Sequence, residues 1–131
     1  MKRTVVAARF VVSLSGLALI VLGFLFWSGR ALSLVPLHML LGALLVLSLW
    51  VLVALALLAR VRLGFVLFAL AWSLIVPVLG VAQLQLLPGS LHWVVQLAHF
   101  AVGFIAMGLG HALARAIVQG AAVVRAAPEQ A

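Results

Sequence analysis

Residues 90–113 read SLHWVVQLAHFAVGFIAMGLGHAL. The run is apolar and long enough for a helix through a bilayer, which needs about 20 such residues to cross ~30 Å of hydrocarbon. It nevertheless holds His92, His99 and His111. Three further apolar runs precede it, so the spans are expected at roughly 5–27, 37–59, 63–87 and 91–114. The runs are continuous, whereas barrel strands alternate apolar with polar residues. With 69% hydrophobic and 7% charged residues and a mean hydropathy of +1.46, the 131-residue chain has too little charge for a water-soluble domain. An all-α, integral membrane four-helix bundle follows. The first run is longer than the apolar core of a signal peptide and WSGRALS (27–33) has no A-x-A-like cleavage site, so it is expected to be retained.

The connections SGRALSLVP (28–36), RVR (60–62) and LPGS (87–90) are short, which makes consecutive helices antiparallel neighbours in an up-down order. Charge then orients the bundle. Lys2, Arg3, Arg9, Arg60, Arg62, Arg115 and Arg125 fall on one side and Arg30 alone on the other. The excess marks the cytoplasmic face, placing both termini inside a bacterial-type inner membrane and Arg30 outside. The net charge of +7 is thereby assigned to anionic lipid headgroups. No basic domain stands outside the membrane to serve nucleic acid. The single acidic residue, Glu129, lies in the polar segment 118–131, expected to be a flexible tail.

Smaller signals place the ends and the packing faces. Pro36 suits a first helical turn, Ser90 a helix N-cap, and Trp27 and Trp93 an aromatic belt at the outer interface. Pro77 removes a backbone donor within helix 3 and is expected to kink it near Ser73. Ser13, Gly16 and Gly23 share one side of helix 1, and Gly103, Ala106, Gly110 and Ala114 line helix 4. Such stripes let helices approach closely in lipid and are compatible with a homo-oligomer.

No Asp or Glu lies in any span, so a carboxylate-coupled antiporter lacks its coupling group. No Ser–His–carboxylate set and no carboxylate pair is present, so hydrolysis lacks its base system. With no cysteine, thiolate sites and disulfides are excluded. The histidines remain. His38 is followed four residues later by Gly42, and His99 by Gly103, on two helices that run in the same direction. Each imidazole thus has bare backbone one turn below it. A flat macrocycle asks for that arrangement, an imidazole for iron beside a missing side chain.

Depth leaves two pairings open. Counted from the expected helix starts, His38 is level with His92, and His99 lies ~10 Å deeper. Either His38 and His92 share a ligand at the outer rim, or helix 2 sits deeper and pairs His38 with His99. In the latter case His92 and Arg30 would stand near haem propionates. Met39 beside His38 would suit copper or zinc in an external site with His92. Gln83 and Gln85 are candidates to hydrogen-bond His92, His111 reads as interfacial, and Trp50, Trp72 and Met107 as bulk.

LHMLLGALL (37–45) and VVQLAHFAVGF (94–104) resemble helices of small b-type membrane cytochromes and of the four-helix halves of haem A synthase. The resemblance covers helices 2 and 4. It implies His38 and His99 as axial ligands of a b-type haem (heme b), with electrons exchanged with a quinone or a partner subunit. The glutamate and His-Arg pair of haem A synthase have no counterpart here, so haem A synthesis is not implied. A non-catalytic accessory subunit or assembly factor of a larger membrane complex is the alternative expectation.

The cysteine-free chain makes orientation directly testable. Cysteine introduced as Ser28→Cys should react with a membrane-impermeant maleimide from outside intact cells, and Val61→Cys only after lysis; the reverse pattern would refute the assigned orientation.

Overall fold

The structure is a computed structural model that describes the backbone of residues 1–126 and the side chains of residues 1–120. Helix α1 spans Lys2–Trp27, α2 Val35–Leu58, α3 Leu63–Ala82 and α4 His92–Ala126, with a short 3-10 turn at Leu32–Leu34 leading into α2. No strand occurs among the described residues. All four helices are long and apolar enough to cross a membrane. Within the most apolar window of each, only 17–33% of residues are buried by the other helices. Leu, Val and Phe side chains therefore cover the outside, as in Leu58, Val78 and Leu84 at 76%, 68% and 80% exposure. Contiguous apolar surface on this scale is compatible with contact to bilayer hydrocarbon.

Each helix packs against its sequence neighbours, α4 closes onto α1, and α2 also touches α4. The cross-section is a rhombus with α2 and α4 on its short diagonal. Its centre is filled by Val12 of α1, Leu45, Leu49 and Leu52 of α2, Val66 of α3, and Leu113 and Ile117 of α4, each no more than 2% exposed.

Helix ends follow backbone chemistry. After α1, Gly29 takes φ +74°, and the Gly29 and Arg30 amides donate to the Phe26 and Leu25 carbonyls at 2.9 and 2.8 Å. The same double closure ends α2, where the Arg60 and Val61 amides reach Leu57 and Ala56 at 3.0 and 2.9 Å. These paired bonds satisfy carbonyls that the helix leaves free. Pro36 occupies the first turn of α2, as its missing amide allows.

Helix α3 stops at Ala82 rather than at 87, and residues 83–91 form turns through Leu87 (φ +44°) and Gly89 (φ +89°). Leu84, Leu86 and Leu87 are as apolar as the helix before them, so composition alone does not mark this end. Helix α4 begins at His92, two residues beyond Ser90, which is therefore not its N-cap. It continues past 114 to Ala126, through the start of the expected tail; residues 127–131 lie outside those described.

The small-residue stripes divide into two kinds. A Cβ on Gly110 would lie 3.0 Å from Val12 Cγ1 and 3.1 Å from Leu49 Cδ2, and one on Gly16 would lie 2.7 Å from Met107 Cε. With Ala106 and Ala114 at 0% and 2% exposure, these residues set the close approach of α4 to α1 and α2. Gly23 and Gly103 have open surroundings instead.

Two tryptophans act as polar ties rather than as bulk. Trp50 Nε1–H donates to Ser73 Oγ at 2.9 Å, and the Ser73 hydroxyl donates to the Leu70 carbonyl at 2.6 Å. Trp72 Nε1–H donates to the Val102 carbonyl at 3.0 Å. The first joins α2 to α3 and the second α3 to α4. Ser73 is fully buried and lies one turn before Pro77, inside an α3 that runs through the proline.

Overpacking at Gly110 would force Val12 and Leu49 aside. Gly110→Leu is expected to destabilise the detergent-solubilised protein by about 1–3 kcal/mol, and Gly23→Leu by much less, in denaturant titration of helical signal. Equal effects would show that α4 does not pack as described.

Candidate functional site

The rings of His38 and His99 face each other across the short diagonal, with centroids 6.3 Å apart and planes inclined at 42°. Their pairing answers the question of depth. The chain enters α2 through the 3-10 turn, so His38 lies six residues from the first coiled residue, Leu32, while His99 lies seven from His92. A 3-10 turn rises about 2.0 Å per residue against 1.5 Å in an α-helix, so both paths descend roughly 10 Å. Counted from residue 37, the start expected from hydropathy, His38 appears too shallow because the leading turn is left out.

All four helices contribute. Phe26 of α1 packs its ring on His38, centroids 5.4 Å apart at 58°. On α3, a Cβ added to Gly80 would stand 3.3 Å from His99 Cε1. Gly80 and Phe26 escape a reading of the sequence. Gly80 lies in PVLGVAQ (77–83), where a proline three residues earlier draws attention first, and Phe26 is one of several aromatics near the end of α1.

The Nδ1 atoms of His38 and His99 are buried without a hydrogen-bond partner, and among the described residues no other buried side-chain polar atom is in that position. A buried polar atom without a partner costs about 1–3 kcal/mol. The ring separation narrows what the pair suits. A direct N–H···N bond near 2.9–3.0 Å would bring the centroids to about 5.2 Å, with roughly 1.1–1.2 Å from each nitrogen to its ring centre. An imidazole nitrogen ligates a metal at about 2.0–2.1 Å, so two rings on opposite sides of one ion have centroids about 6.2–6.6 Å apart. The observed 6.3 Å is too long for the hydrogen bond and fits two opposed ligands of one ion. Either ring nitrogen gives the same figure. Below the rings, nothing stands within 4 Å of a Cβ built on Gly42 or Gly103. The structure thus brings two imidazoles to the separation of two opposed ligands of one ion, beside glycines with open space next to them.

The other expected participants are placed differently. His92 Nδ1–H donates to the Leu86 carbonyl at 3.3 Å, tying the α3–α4 turn rather than bonding Gln83 or Gln85. Arg30 is exposed in the connection after α1. Met39 is 62% exposed. Among the described residues no three His, Cys, Asp or Glu side chains are close enough to hold a metal ion together. His111 Nε2 lies 3.3 Å from Ser13 Oγ. The single Ser13 proton goes to the Arg9 carbonyl at 2.9 Å, so His111 Nε2–H is the donor. The open grooves of about 340 and 520 Å³ run along the outer face of α3 and do not reach the pair.

No protein-family model, curated protein or solved structure matches this chain.

Replacing both histidines with leucine removes two unpartnered polar atoms and adds apolar contacts. His38→Leu/His99→Leu should stabilise the ligand-free protein by about 1–3 kcal/mol in detergent. Destabilisation of that size would mean that the rings serve packing rather than a ligand.

Proposed function

We propose that the protein is a membrane cytochrome that binds one b-type haem between α2 and α4, with His38 and His99 as axial ligands, and exchanges electrons with a quinone or a partner subunit. The observation that carries the proposal is the pair of facing imidazoles, 6.3 Å apart with unpartnered Nδ1 atoms, inside an apolar bundle. An ionisable side chain at that depth is costly and marks a functional position by default. The haem would supply one-electron chemistry, with its potential set by the two imidazoles and by the exclusion of water. The chain's own part is to hold two neutral imidazoles at one level, to leave backbone bare at Gly42 and Gly103, and to seat His99 against Gly80. Phe26 screens His38 from the side of α1. In this reading the bundle spans a bacterial-type inner membrane with both termini cytoplasmic, and the histidine pair lies in its outer half.

The second reading, an accessory subunit or assembly factor of a larger membrane complex, is supported by small residues on the helices and by the lack of a soluble domain. Of those small residues, Gly16, Ala106, Gly110 and Ala114 are turned into the bundle, whereas Gly23 and Gly103 stand open.

The test is a visible spectrum of the detergent-purified protein, expressed with added haem precursor. A Soret band and a reduced-minus-oxidised b-type spectrum are expected, both lost in His38→Ala and in His99→Ala. Gly42→Leu and Gly103→Leu should lower haem content about ten-fold or more while helical signal is kept, because a side chain then occupies the bare backbone. No Soret band in the wild-type protein would end the proposal.

A further inference from the structure

Away from the histidine pair, at the end of the bundle that carries both termini, α1 and α4 bring two cations to one level. Three contacts set the antiparallel register of these helices: Val12 with Gly110, Ser13 with His111, and Gly16 with Met107. Each step back along α1 is matched by a step forward along α4. Four residues beyond the Ser13–His111 hydrogen bond in this register stand Arg9 and Arg115. Each lies about 6 Å farther toward the termini, on the same side of its helix as the bonded residue. Packed helices are about 8–10 Å apart axis to axis, so two arginine side chains at one level reach a common point at the rim of the α1–α4 groove.

Their depth says what meets them there. Arg9 is 18 residues from Trp27, or about 27 Å of helix, and Arg115 is 22 residues from Trp93, or about 33 Å. Both distances are close to the ~30 Å of bilayer hydrocarbon. With Trp27 and Trp93 at one interface, both guanidiniums reach the headgroup layer of the other. Both side chains are exposed, and residues 1–128 contain no Asp or Glu. The like charges at the groove rim thus have no carboxylate from this part of the chain to offset their repulsion.

We propose that Arg9 and Arg115 jointly bind the phosphate of one anionic lipid headgroup at the α1–α4 groove, with the Ser13–His111 hydrogen bond among the contacts that set the register aligning them. Guanidinium groups suit this because each presents paired N–H donors to phosphate oxygens. Ser13 and His111 are positioning residues, occupied with each other and with the Arg9 carbonyl. The site is independent of haem and stands whether or not the cytochrome reading does.

The experiment titrates the full-length protein in detergent with short-chain phosphatidylglycerol, short-chain phosphatidylcholine and inorganic phosphate, reading bound ligand by native mass spectrometry. One saturable phosphatidylglycerol is expected, about ten-fold tighter than phosphatidylcholine. Arg9→Gln/Arg115→Gln should abolish that preference, whereas Lys2→Gln/Arg3→Gln changes it less than about two-fold. Arg9→Lys/Arg115→Lys, which keeps the charge and hence the topology signal, should weaken binding several-fold by losing the paired donors. Ser13→Ala should weaken it through the register alone. Absence of any preference in the wild-type protein, or equal losses from the Lys2/Arg3 and Arg9/Arg115 variants, would overturn the site in favour of general surface charge. Inorganic phosphate binding as tightly as the lipid, and lost in the same Arg9/Arg115 variant, would overturn the lipid assignment.

Discussion

In hydrocarbon a polar group finds its partner within the protein or goes without, because water is absent. That constraint organises this bundle. Trp50, Ser73 and the Leu70 carbonyl form one short chain of hydrogen bonds between α2 and α3, and Trp72 ties α3 to the Val102 carbonyl of α4. Ser13 and His111 join α1 to α4. In lipid, where hydrophobic burial offers little advantage, such bonds and the close packing at Gly16 and Gly110 would be what holds the helices together. Against this background the unpartnered Nδ1 atoms of His38 and His99 stand out.

The histidine pair and the arginine pair lie toward opposite ends of the same helices, and they use different chemistry. The former is half-buried among apolar side chains and stands beside glycines; the latter is exposed and cationic. One fold serves both because α4 touches α1 along one side and α2 along the short diagonal. The close approach at Gly110, against Val12 and Leu49 together, lies between the two levels and sets the register of both.

Much of the architecture was legible in the residues. Long apolar runs, short connections and the absence of alternation leave little besides an antiparallel helical bundle, and Pro36 marked the start of α2. The ends of α3 and α4 were not legible. Leu84, Leu86 and Leu87 continue the apolar character of α3 after its hydrogen-bonding has stopped, and residues 115–126, beyond the expected end of the span, continue the α4 backbone. Hydropathy reports the surroundings of a side chain; helix ends are decided by where backbone bonds close. The stripes of small residues were legible as packing faces, but which glycines are in contact was not. Gly16 and Gly110 meet side chains from other helices while Gly23 and Gly103 do not, and that difference depends on helix rotation.

By itself the sequence determined that this chain forms helices long and apolar enough to span a membrane, that His38 and His99 each stand one turn above a glycine, and that no carboxylate lies within those apolar runs. These follow from composition and from the fixed 3.6-residue period of a helix. Only the tertiary structure decided that the two histidines are level, that Gly80 of α3 makes room for one of them, and that Arg9 and Arg115 share a height. The reason is that relative height depends on how the chain enters each helix and on where two helices interlock. A turn of three residues before α2 and contacts such as Val12 on Gly110 set those offsets, and neither can be read along a single helix.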